Sequence, residues 1–154
     1  MDPVVIDTNL LVLLVVGSAS RDYIARHKRL DGYTVRHFDD LVALISVFSE
    51  IVLLPQIVAE VSNLVRQIEG GPQRRIQSAL RTLIENCREF PAESLSGALR
   101  EEFLELGITD SVVLHFCSLD MEGLHPTLIT SDSRLADVGH SLGYSIIDYK
   151  QEFM

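Results

Sequence analysis

The chain has 154 residues, and 47% of them are hydrophobic. That suits a single domain over residues 1–154 with a sizeable core, and it excludes a disordered chain. Asp and Glu number 22 against 13 Lys and Arg, for a formal charge of −9, so nucleic-acid binding is a poor default unless bases cluster locally or bound cations offset the acids.

The chain opens on Pro3-Val4-Val5-Ile6-Asp7-Thr8-Asn9. Three consecutive apolar β-formers predict a short strand covered on both faces, and Asp7 falls at its carboxyl end, where open α/β sheets bind ligands. Residues 8–16 read as a buried helix, punctuated by Gly17, Ser18 and Ser20. The run Leu10 to Val16 is far shorter than the roughly 20 residues a membrane span needs, and no basic segment precedes it, so a soluble, cytoplasmic chain is expected.

Residues 21–37 change character. Arg21, Arg26, Lys28, Arg29 and Arg36 alternate with Tyr23, His27, Tyr33 and His37. Bases with aromatics between them can follow a phosphate backbone and stack bases, whereas a plain solvated helix and loop would have the same composition. Asp39-Asp40 opens an amphipathic helix through Phe48, with Leu41, Leu44, Ile45 and Phe48 on one face.

Glu50 to Leu54 reads as a second buried strand. Pro55 suits the first turn of a helix running to Glu69, stopped by Gly70-Gly71-Pro72. Ile57, Val61, Leu64 and Ile68 form its apolar stripe, and Glu60 lies on the edge of that stripe. Gln73 to Glu89 predicts a longer helix with Ile76, Leu80, Leu83, Ile84 and Cys87 inward. Leu95 to Leu106 predicts another, ending at Gly107.

Thr109 is the expected cap of a helix from Asp110 to Leu119. Thr127 to Thr130 is a strand, Ser131 or Asp132 starts a helix toward His140, and Tyr144 to Asp148 is the last strand. This alternation predicts a parallel sheet of four to five strands flanked by helices on both faces. Cys87 and Cys117 read as buried, reduced thiols. The five histidines fall at no zinc-like spacing.

Asp7, Asp110 and Asp132 each stand at or near a helix start, where Asp is a common cap; Glu60 alone is an ordinary helix residue. Together they say more. Asp7 and Asp132 each follow an apolar strand, so a parallel sheet places both at one edge. Glu60 lies about one turn beyond the second strand, and Asp110 opens a helix after Leu106-Gly107-Ile108-Thr109. Converging carboxylates repel, and a hard divalent cation, magnesium or manganese, relieves the conflict. Asp137 is expected to be exposed.

The segments Val5-Ile6-Asp7-Thr8-Asn9, Glu60 in its helix, Gly107-Ile108-Thr109-Asp110 and Leu128-Ile129-Thr130-Ser131-Asp132 together resemble the PIN-domain nucleases over nearly the whole chain. The resemblance implies a three-layer α/β/α fold, often dimeric, and Mg2+- or Mn2+-dependent cleavage of a phosphodiester, usually in RNA, leaving a 5′-phosphate. It also implies roles: Asp7 and Asp110 on the principal metal, Asp132 completing its shell or a second one, Glu60 acting through water. Thr8, Asn9 and Thr130 become candidates for supporting or phosphate hydrogen bonds, with capping as their plainer role. Many small members are the toxin of a toxin–antitoxin pair, which makes an antitoxin a possible partner; the basic segment lies outside the motif.

Other classes fit less well. A haloacid-dehalogenase-type phosphatase needs an acid where Asn9 stands. A response-regulator receiver needs paired early acids and a late Lys inside the fold. A dinucleotide site needs glycines after the first strand. The serious alternative is a PIN-like binding or assembly module with little or no catalysis.

Overall fold

The structure, a computed structural model, describes residues 2–154. Its centre is a three-stranded parallel sheet. Strand β1 (Val4–Ile6) pairs with β4 (Thr127–Thr130), which pairs in turn with β5 (Ile146–Asp148). Every residue of β1 and β4 is buried, so helices cover both faces. A second parallel sheet holds only β2 (Val52–Leu53) and β3 (Arg88–Glu89).

One parallel bridge, Val4 to Ile51, links the two sheets, with the Val4 amide donating to the Glu50 carbonyl at 2.9 Å. The expected single sheet of four to five strands is therefore divided, with three strands in its largest piece. The physical reason lies in β2. Leu54 is already the N-cap of the next helix and Pro55 its first residue, so the strand ends before it can extend a ladder.

Helix α1 (Thr8–Ala19) is buried at every position from Leu10 to Gly17 and packs on α2 (Val35–Ile45), α3 (Pro55–Leu64) and α4 (Gly71–Asn86). Gly17 does not end α1. A β-carbon there would stand 2.2 Å from the Phe38 ring, so glycine permits close approach of α2. Two 3-10 turns, Arg21–Arg26 and Lys28–Leu30, connect α1 to α2. Helix α2 starts four residues earlier than expected because Thr34 and His37 form a capping box.

Helix α3 stops at Leu64, short of Glu69. Gly70-Gly71-Pro72 opens α4 rather than closing α3, with Gly70 at φ 83° as N-cap and Pro72 in the first turn. Within α4, Ile76 and Leu80 are buried, Leu83 is half-buried and Ile84 is exposed. The expected helix over Leu95 to Leu106 is two short ones, α5 (Ser94–Ala98) and α6 (Phe103–Leu106). Helix α7 (Ile108–Cys117) begins at Gly107, so Thr109 lies inside it and does not cap it. Helix α8 (Ser133–Ser141) is capped by Asp132, and α9 (Tyr149–Phe153) closes the chain. Cys117 is buried, Cys87 is half-buried, and both are free. No helix among the described residues is long and apolar enough to cross a membrane.

Because the strands run parallel in register Ile6 to Ile129 and Thr130 to Asp148, the residues that follow β1 and β4 emerge at one edge, where β5 also ends. That edge carries Asp7, Asp132 and Asp148.

Candidate metal centre

Asp7 is fixed from both sides. Its amide donates to the Ile129 carbonyl at 3.0 Å, which extends the β1–β4 ladder by one bond. Its Oδ1 accepts from the Thr8 amide at 2.9 Å and so caps α1. Its Oδ2 accepts from the Thr130 hydroxyl at 2.7 Å. The same Thr130 oxygen accepts from the Asp132 amide at 3.0 Å. One fully buried hydroxyl thus ties the ends of β1 and β4 together.

Burial holds the Asp7 carboxyl above its ordinary range. The bonds from Thr130 and Thr8 pull it down, and the charges of Asp132 and Glu60 push it up. Asp132 is exposed, and its Oδ1 accepts from the Arg134 and Leu135 amides at 3.0 and 3.2 Å, so it also caps α8. Glu60, half-buried on α3, faces the same edge: Thr8 Oγ1 donates to its Oε2 at 3.4 Å.

Asp110 differs from the other three. It sits in the first turn of α7, half-buried, and receives no hydrogen bond among the described residues. Burial, then the charges of Asp7, Asp132 and Glu60, push its carboxyl up to about 7. The fold brings all four acids into one electrostatic neighbourhood, from the ends of two strands and the sides of two helices.

The supporting residues divide. Thr8 and Thr130 are buried and bonded to the acids, whereas Asn9 is exposed. Within the basic segment, Arg21 pairs through Nη1 and Nη2 with Asp39, both side chains about half exposed. Arg26 lies over the Tyr23 ring at 5.6 Å; Lys28, Arg29 and Arg36 are exposed. Asp137 is exposed, as expected.

Two residues at this edge escaped the sequence reading. The Tyr33 hydroxyl donates to Ser131 Oγ at 2.9 Å; burial raises it, the Ser131 bond lowers it, and the charge of Asp7 raises it further. In the sequence Tyr33 stands out only as one of the aromatics of the basic segment. Asp148 is buried opposite Thr130 and caps α9 through the Gln151 amide at 3.2 Å. It does carry a signal: like Asp7, it ends an apolar strand.

Among the described residues, no group of three or more His, Cys, Asp or Glu side chains is placed to hold a metal ion. Two of the acids are engaged elsewhere: Asp7 accepts bonds on both oxygens, and Asp132 is turned onto helix amides. The donor set itself is chemically suited to a hard cation. It is all carboxylate oxygen, mutually repulsive, and includes one acid without a donor. No family model, curated protein or solved structure matches the chain.

Proposed function

We propose that this chain is a metal-dependent nuclease that hydrolyses phosphodiester bonds in RNA, with a PIN-like arrangement of acids. The observation that supports this reading is Asp110, a half-buried carboxylate with no hydrogen-bond donor among the described residues, pushed up by burial and by the charges of Asp7, Asp132 and Glu60. Its place in the first turn of α7 suits a carboxylate, yet each of the other three acids raises the cost of ionising it.

Asp7 and Asp110 would hold Mg2+ or Mn2+, with Asp132 beside them and Glu60 acting through water. When bound, the cation supplies a more acidic water and neutralises charge developing on the phosphate. The protein's part is positional. Thr130 keeps Asp7 and the start of α8 in fixed relation, and the Thr8 hydroxyl donates to Glu60 at 3.4 Å. A homodimer, an antitoxin partner and a cytoplasmic setting complete the proposal.

The test is Asp7→Asn. Asn keeps the cap on α1 and removes a charge, so the fold should persist while metal-dependent RNA cleavage falls roughly a hundredfold or more. Unchanged cleavage in Mg2+ or Mn2+ would remove Asp7 from the metal.

A second reading, an assembly module with little catalysis, is favoured by Leu95, Leu99 and Leu104, which are 61, 76 and 90% exposed on and around α5 and α6. Calorimetry with added metal separates the two. The nuclease gains metal-linked stability, and a pure scaffold does not.

A further inference from the structure

A second feature of the surface carries charge of the opposite sign. A cleft of about 780 Å³ lies between the 3-10 turns and the α3–α4 junction, lined by Arg26, Lys28, Arg66, Glu69, Gly70 and Gln73 among others. Its volume is in the range of ligand pockets.

Its walls are pinned by hydrogen bonds. Buried His27 accepts the Arg29 amide on Nδ1, which leaves Nε2 to donate to the Val65 carbonyl at 3.1 Å. Gln73 Nε2 donates to the Arg66 carbonyl at 2.9 Å. The first bond locks the 3-10 turns to the end of α3, and the second locks the α3–α4 turn to the start of α4. The three cations are therefore brought together by tertiary structure, from two well-separated stretches of the chain.

None of the ion pairs among the described residues uses Arg26, Lys28 or Arg66. In a chain of net charge −9, three unpaired cations about one cleft are a local reversal of sign. Among the described residues Glu69 is the only acid in the lining, and the α4 N-terminus, which has no side-chain cap, adds the positive end of a helix dipole.

We propose that this cleft binds the phosphate backbone of a single-stranded nucleic acid through Arg26, Lys28 and Arg66. The binding does not rest on the nuclease reading.

The test is fluorescence anisotropy with a labelled single-stranded RNA of about ten nucleotides, in chelator and without divalent metal, over a series of salt concentrations. The full chain should bind, and the variant Arg26→Ala/Lys28→Ala/Arg66→Ala should bind at least about tenfold more weakly. Its slope of log affinity against log salt should be shallower by about 0.7 for each phosphate that the variant no longer neutralises. Arg81→Ala, on the exposed side of α4, should bind as the parent does.

An unchanged affinity and slope in the triple variant overturns the proposal, as does an equal loss in Arg81→Ala. Inorganic pyrophosphate that competes as strongly as the oligonucleotide would assign the cleft to a small phosphate and overturn the strand assignment. Because the assay contains no divalent metal, binding that depends on the three bases stands even if Asp7→Asn leaves cleavage untouched.

Discussion

The Thr130 hydroxyl gives its proton to Asp7 Oδ2 at 2.7 Å while accepting the Asp132 amide at 3.0 Å. A single side chain thus orients one acid and the backbone of another, across 123 residues of sequence. Thr130→Val keeps the shape and removes the hydroxyl, which leaves a buried carboxylate and an amide short of a partner. The expected loss is about 2 kcal/mol of stability at neutral pH, read from urea denaturation. Thr130→Ser should recover most of it.

The edge positions of Asp7 and Asp132 were legible because they follow from chain order. An apolar strand that ends on Asp points the same way wherever it occurs in a parallel sheet, so Val4-Val5-Ile6-Asp7 and Leu128-Ile129-Thr130-Ser131-Asp132 could be placed at one edge without coordinates. What was not legible came from tertiary structure. Arg88-Glu89 has no strand pattern and becomes β3 only by pairing with β2. Tyr33 reaches Ser131 across 98 residues, and no local pattern encodes that bond. Gly17 and Gly70 looked like helix ends; one is a packing position and the other opens a helix.

Asp110 should make the metal-free protein less stable as pH rises. Its carboxyl stands near 7 in the fold against an ordinary value of 3.8. The folded state thus holds its proton more tightly than the unfolded state. The resulting stability is fully present below about pH 4 and is lost as pH climbs through about 7. Urea midpoints in chelator, measured for Asp110 against Asp110→Asn, should show the parent falling through this window and the variant falling less. At about pH 8 the variant should be the more stable of the two.

Divalent metal should reverse that loss. If the four acids share a cation, Mn2+ at about a hundred times its dissociation constant adds about 2.7 kcal/mol to the folded state. Differential scanning calorimetry should show the melting temperature rising with Mn2+ in the parent. The rise should be absent in Asp110→Asn and Asp7→Asn. Equal rises in all three would assign the effect to nonspecific ions.

Gly17 offers a check on the packing that supports the edge. In a solvated helix, Gly→Ala stabilises by up to about 1 kcal/mol. Here the added carbon would meet Phe38 ring atoms at 2.2 and 2.4 Å, and that ring is buried. Gly17→Ala should therefore destabilise by about 1–3 kcal/mol. Shortening the partner in Gly17→Ala/Phe38→Leu should cost less than the sum of the two single changes, because the second removes the clash created by the first.

Asp132 separates structure from chemistry, since it caps α8 while its charge raises the Asp7 and Asp110 carboxyls. Asn caps a helix as well as Asp does, and Ala does not. Asp132→Asn should stay within a few tenths of a kcal/mol of the parent, whereas Asp132→Ala should lose about 1 kcal/mol. Both remove the carboxylate. If the charge is used on a metal, both variants lose RNA cleavage to a similar degree despite their different stabilities. If Asp132 is only a cap, activity tracks stability, and Asp132→Asn cleaves as the parent does. Parallel urea denaturation and cleavage assays on the two variants decide between these outcomes.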